Sequence, residues 1–487
     1  MGLDAVHPQY SARKEEWVMM RDTYAGEKAI KDKTSTYLPA TPSQVLDGVD
    51  STTKVGYKNY MSYLTRAVFH DYVSDAVESY IGLLHQKPAI FKLPEKMKPL
   101  IENATINGEG LQNLLRRINE QQLVTGRIGL LLDLPEFPDP VNPLPYIASY
   151  LAETIRNWDD SNDQEGRNTA NMIVLDESGD VRSDDFTWER RDKYRVLIKD
   201  GDFYKVGTFT AKEGFLVEEL RTPALFGKPL NEIPFKVINS KDVIFQPDNP
   251  PLIGLARLAL AIYRGEAGYR ESLFMQSQDT LVTIGGIVRA RPDEPIRVGA
   301  GARIELDIGG DAKYIGVGSA GLMEQRLALE NDKKRAETKS GQMMAPTGPV
   351  ESDATLTTRM AAQTATLNQI AWSGAKGLEY ILKIAAEWMG LNPDEVQVTP
   401  NLDFSNFMLE GQALKDIMDA KLKGLPVSLQ SLHQVATERG LTQMSFEEEV
   451  VLIEQEMARV AEENKKLGLD PSGKLIPPAP VPAPARA

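Results

Sequence analysis

The sequence predicts an α+β fold, and three observations carry that expectation. Helical periodicity runs through residues 57–84 and 356–389. Short β-branched runs between Gly and Asp turns fill residues 171–245. A second β-rich segment, punctuated by Gly and Pro, occupies residues 282–318 with a helical pattern on either side. The 487 residues leave room for roughly two to four core-bearing units at ~150 residues each.

Taken in order, residues 1–50 are polar and Pro-containing, and "YLPATPSQ" reads as an irregular arm. Tyr60, Leu64, Val68, Tyr72, Ala76, Tyr80 and Leu84 recur every three or four residues. They predict one tyrosine-rich helix carrying His70 and His85, ended through Pro88. "LQNLLRRINEQQLVTGRIGLLLDLPEFPDP" reads as a helix, a glycine turn and a buried strand centred on Leu130–Leu132. "NMIVLD", "YRVLIKD" and "FYKVGTF" follow as strands, with "LDESGD" as a hairpin turn. Pro250-Pro251 opens a helix over 255–281 with a charged face of Arg264, Glu266, Arg270 and Glu271. After the β-rich segment a second helix spans Leu322 to about Met344. Pro346, Gly348 and Pro349 then forbid helix. Ser352 or Asp353 caps a helix over 356–389, ~50 Å long at ~1.5 Å per residue. A strand, "EVQVTPNLDF", precedes three helices at 411–423, 428–439 and 445–467, and the Pro/Ala-rich tail reads as disordered.

Composition excludes several classes. Hydrophobic residues at 42% and charged residues at 25% are ordinary for a globular chain. No run of ~18 apolar residues is present, so a membrane span is not expected. The N-terminus lacks a secretory pattern, and Val6 stands where myristoylation wants Ser or Thr. Zero cysteines rule out disulfides and thiolate chemistry, which fits a reducing cytoplasm. The net charge of −14 argues against a broad nucleic-acid grip, which needs cations to neutralise phosphates.

The chemical candidates are few. "YIGVGSAGLMEQ" places Gly316, Gly318 and Gly321 at the G-x-G-x-x-G spacing of a pyrophosphate cradle. A dinucleotide site needs a second strand after the helix, and a Pro/Gly loop stands there instead. The glycines therefore read as a flexible strand-to-helix joint. Walker, H-E-x-x-H and G-x-S-x-G patterns are missing, and acidic pairs such as Asp184-Asp185 sit in polar turns. "NDKKRAETK" clusters Lys333, Lys334, Arg335 and Lys339 on a helix, either as a solvated face or facing DNA phosphate or an acidic neighbour.

The order of parts resembles the portal proteins of tailed bacteriophages. So do "YLPATPSQ", "YKNYMSYLTRAVFHDYVSDAVESYIGLLHQKP", "TGRIGLLLDLP", "YIASYLAETIRNW", "PPLIGLARLALAIYR" and "TATLNQIAWSGAKGLEYILKIAAEWMG". Together they span most of residues 37–390. The resemblance implies an N-terminal arm and α/β wing at 1–250, and stem helices at 251–281 and 319–344. It places a small clip at 282–318, a tunnel loop at 345–355 and a long wing helix and strand at 356–409. A helical crown, short for the family, falls at 410–467, and the Pro-rich tail at 468–487. Pro346, Thr347, Gly348, Pro349, Val350, Glu351 and Ser352 would face the channel, and Gly316, Gly318 and Gly321 would form the clip–stem joint.

The family's function would follow: a ring of about twelve copies at one capsid vertex, passing double-stranded DNA in packaging and ejection. Implied partners are other copies of the chain, the terminase large subunit, a head–tail adaptor, and the major capsid and scaffolding proteins. The chain would reside in the virion, after assembly in the host cytoplasm, without catalysis, cofactor or metal. The alternatives are a nucleotide-dependent oxidoreductase built on the glycine turn and a head-completion protein without a DNA channel.

Overall fold

The computed structural model describes residues 5–135, 144–160, 170–212, 215–216, 220–276, 280–285, 287–288, 305–306, 308–315, 320–340, 353–402, 428–438 and 444–466. They fall into two units, Met1–Leu402 and Asp403–Ala487. Helix and strand mix as an α+β arrangement.

The first unit opens with α1 (Pro8–Ala25), α2 (Glu27–Asp32) and α3 (Pro42–Leu46), where the sequence pattern suggested an irregular arm. Helix α1 starts on Pro8, and the His7 ring caps it by accepting from the Gln9 amide at 3.2 Å. Its sparse apolar residues Tyr10, Trp17 and Met20 fall on one stripe and are all buried. Thr41 and Gln44 form a capping box on α3.

The helix expected over 57–84 is two helices, α4 (Val55–Arg66) and α5 (Tyr72–Leu84). Between them Ala67 and Phe69 turn inward at every second position and are buried. The Phe69 ring meets the edge of Tyr263 at 5.8 Å. Tertiary burial overrides the continuous periodicity here. His70 consequently lies in the break and His85 at the α5 C-cap, not along one helix.

After β1 (Ile90–Lys92), α6 (Leu111–Val124) leads through Gly126, at φ 77°, into β2 (Arg127–Asp133). Every β2 residue is buried, which explains its unbroken apolar run. Then come β3 (Tyr146–Leu151), β4 (Ile155–Asp159), β5 (Met172–Asp176), β6 (Gly179–Arg182) and β7 (Trp188–Arg191). They are followed by β8 (Lys193–Asp200), β9 (Phe203–Lys212), β10 (Phe215–Leu216), β11 (Ala224–Leu225), β12 (Lys228–Pro229) and β13 (Phe235–Asn239). Two antiparallel sheets result, with strand orders β13-β2-β3 and β10-β9-β8-β5-β4. "LDESGD" is not a hairpin turn: β5–β6 and β7–β8 make one long ribbon whose turn is Ser183–Thr187. The Asp184 carboxylate accepts there from the amides of Phe186 and Thr187, at 2.8 and 2.7 Å.

The chain continues through α7 (Ile253–Gln276), β14 (Thr280–Ile284), β15 (Ile287–Val288), β16 (Glu305–Leu306), β17 (Asp311–Ile315) and α8 (Ala320–Ser340). Helix α9 (Asp353–Trp388) then runs 36 residues, followed by β18 (Gln397–Thr399), which pairs antiparallel with β1. Leu378, Ile381, Leu382, Ala385 and Trp388 of α9 join Ile118 of α6 and Ile238 of β13 in one core. Each of the leucines and isoleucines contributes about 1.5–3 kcal/mol by leaving water. A buried polar chain crosses this core: Gln122 donates to the Asn239 carbonyl at 2.7 Å and to Ser373 Oγ at 2.6 Å. Asn119 donates to Gln122 at 2.9 Å and meets His85 Nε2 at the same distance.

The second unit holds α10 (Leu429–Glu438), capped by Ser428, and α11 (Phe446–Lys466), opened by a Ser445–Glu448 capping box. The helix expected at 411–423 lies outside the described residues.

Candidate functional site

The segment built most unlike a compact core is α7–β14–β17–α8. Glycine 265 faces Leu329, Glu266 meets Lys333, and Gly254 faces Lys339, so residue numbers rise on one helix as they fall on the other. The two helices are therefore antiparallel. At their far end β14 pairs with β17 over five residues, from Thr280↔Ile315 to Ile284↔Asp311. The sequence reading carried the first helix to residue 281; it stops at Gln276, and the β-branched run Thr280–Ile284 is strand.

The root of the hairpin is locked by the charged face read in sequence on α7, together with Lys333 of α8. Glu266 is buried, 4% exposed, and its carboxylate meets His70 Nε2 at 2.8 Å, Arg270 at 2.7 Å and Lys333 at 3.0 Å. Burial pushes this carboxyl up, but hydrogen bonds from Arg270, Lys333 and His70 outweigh it and hold it at about 2. Arg66 pairs with Glu271 and lies 4.0 Å over the Phe274 ring. Arg264 donates to the Tyr37 carbonyl at 2.8 Å. Sequence alone offered only the Glu266–Arg270 spacing, because His70, Arg66 and Lys333 come from other elements.

The distal half is more open among the described residues. Leu273 and Met275 on α7, Met323 and Leu327 on α8, and Ile284 at the β tip are exposed. On α8 only Ala336 and Ser340 are buried among the residues whose burial is described.

The basic cluster on α8 divides. Lys333 is committed to Glu266, and Arg335 pairs with Asp332 at 3.4 Å. Lys334 and Lys339 are exposed and make no ion pair among the described residues. Gly321 lies on the first turn of α8 with open space where a Cβ would stand, while Gly316 and Gly318 lie outside the described residues. Pro346, Thr347, Gly348, Pro349, Val350, Glu351 and Ser352 also lie outside them, between Ser340 and Asp353. The helix after the glycine motif is followed by α9, and the next described strand, β18, pairs antiparallel with β1. No described helix is long and apolar enough to cross a membrane.

A sequence family described as a domain of unknown function, DUF4055, matches residues 251–389. The match opens two residues before α7 and closes one after α9, so it is the hairpin, its β tip and the long helix. No curated protein matches the chain. Among solved structures, one similar chain belongs to the neck of a native gene transfer agent particle computed with C12 symmetry. It is 13% identical with a TM-score of 0.38, over 75% of this chain and 89% of that one. A second, from the virion of a native gene transfer agent particle, is 13% identical with a TM-score of 0.40, over 80% and 97%. A third, from the neck of the empty particle computed with C6 symmetry, is 13% identical with a TM-score of 0.39, over 78% and 92%.

Proposed function

We propose that the protein is a portal subunit, a ring-forming channel for double-stranded DNA at one capsid vertex of a phage-like particle. The observation that carries this reading is the α7–α8 hairpin, locked at its root, with exposed apolar residues Leu273, Met275, Met323 and Leu327 along its distal half, and followed by a 36-residue helix. Exposed apolar residues gathered on one projecting element mark an interaction surface. Lateral packing of copies covers them, and a head-to-tail interface closes into a ring when its rotation is right.

In this reading α7 and α8 are the stem, β14–β17 the clip and residues 410–467 the crown, and the channel loop expected over 345–355 ends at residue 352, because Asp353 already begins α9. The clip meets the terminase large subunit during packaging and a head–tail adaptor afterwards, while the outer body meets the capsid and scaffolding proteins. About twelve copies carry a charge of roughly −170 at −14 each, so the ring repels phosphate and DNA slides without being trapped. The channel is passive, without catalysis or cofactor. The antiparallel β14–β17 pair and the helix following α8 do not make the βαβ unit that an oxidoreductase would need.

Negative-stain imaging of the full chain tests the reading. Rings with a central hole of duplex width are expected, and monomers or solid particles would sink it. Replacing Pro346–Ser352 with a short Gly-Ser link should impair DNA packaging or retention while rings still form. Unimpaired packaging removes the loop from the channel.

A further inference from the structure

We infer that the tip of the β6–β7 ribbon of one copy seats in a groove beside the α7 root of a neighbouring copy, an inference that rests on the ring reading above. The ribbon leaves the five-stranded sheet, and every residue from Asp180 to Asp192 is exposed. Phe186 at the turn is 92% exposed and Trp188 66%. A lone two-stranded ribbon is marginal in water, and this one presents two aromatic rings to it.

The tip is held ready for docking. The Asp184 carboxylate ties down the amides of Phe186 and Thr187, and Arg182 donates to the carbonyls of Asp184 and Asp185. A tip ordered before contact loses little freedom on docking. It offers an aromatic ring beside the exposed carboxylate of Asp185, 4.0 Å from the Arg182 guanidinium.

The receiving site has the complementary character. An open cavity of about 430 Å³ is lined by Leu123, Leu252, Leu255, Leu367 and Ile370 and edged by Lys339. Lys339 is exposed and makes no ion pair among the described residues. Ring meets apolar groove, and carboxylate meets ammonium. Knob and hole are different surfaces of one chain, and Phe186 does not fill its own groove, so the contact is head-to-tail and propagates around a ring.

The zero cysteine count makes the test clean. Full-length Phe186→Cys/Gly254→Cys protein, oxidised and run without reductant, should give a ladder of covalent multimers. Gly254 lines the groove, and a Cβ there meets only Lys339 Nζ at 3.6 Å. Phe186→Ser/Trp188→Ser should need about tenfold more protein to assemble by native mass spectrometry, with far-UV circular dichroism unchanged. Asp185→Lys should weaken assembly, and adding Lys339→Glu should restore it. Wild-type rings with no ladder, together with an aromatic variant that assembles as wild type, overturn the docking and leave the portal reading standing. A wild-type chain that never forms rings overturns both.

Discussion

Arg127 is the side chain with the least comfortable place in the described core. It is fully buried at the start of β2, and none of its three guanidinium nitrogens has a hydrogen-bond partner among the described residues. Its guanidinium lies 4.4 Å over the Trp158 ring, which also stacks on His7 at 4.0 Å. Desolvation pulls the guanidinium pKa below its ordinary value, against the pull of Asp160. Replacing a buried ion by an apolar side chain of similar length is often neutral or stabilising. Arg127→Met should therefore leave the chemical-denaturation stability within about 1 kcal/mol of wild type or raise it. A loss above about 3 kcal/mol would show that the guanidinium is paired.

Glu266 is the opposite case, a buried charge with three cationic partners or donors. Its folded pKa of about 2 lies below the ordinary carboxyl value of 4.5. Its contribution is therefore present above about pH 4.5 and is lost as pH falls toward 2. The shift corresponds to a contribution on the order of 3 kcal/mol at neutral pH. Urea midpoints measured from pH 7 to pH 3 should fall more steeply for wild type than for Glu266→Gln. Parallel curves would mean that Glu266 does not lock the hairpin root.

At the scale of elements, α9 is fitted to β13 by Gly377, which its helical pattern did not explain. A Cβ at Gly377 would stand 2.3 Å from Ile238 Cγ1 and 2.4 Å from Cδ1. An exposed helical Gly→Ala change gains about 1 kcal/mol, but overpacking costs about 1–3 kcal/mol, and here the clash decides. Gly377→Ala should be destabilised by about 1–2 kcal/mol. Combined with Ile238→Ala it should lose less than the sum of the two single changes. The α4–α5 break teaches the same lesson, since periodicity that looked continuous was set aside once Phe69 found Tyr263.

At the scale of the molecule, charge and exposed apolar surface point the same way. On the proposed portal reading, an acidic assembly should not hold duplex DNA at ordinary salt, so fluorescence anisotropy of a labelled duplex should stay flat as full-length protein is added. Tight binding with a steep salt dependence would contradict that proposal.

Residue pattern alone gives the α+β class, the β2 core strand, the strands β5, β8 and β9, the long α9 helix and the positions of α10 and α11. These are local matters of periodicity, β-branching and cap chemistry, and neighbouring residues suffice to encode them. The helices before Val55 were illegible because Tyr10, Trp17 and Met20 are too sparse to stand out. Only tertiary structure split the 57–84 helix and moved the hairpin turn to Asp184. It also made Glu266, one member of a charged helix face, the lock of α7 against His70 and Lys333. The α4–α5 break and the Glu266 lock depend on groups 67 or more residues away in the chain, and burial energy, which is blind to sequence distance, decides them.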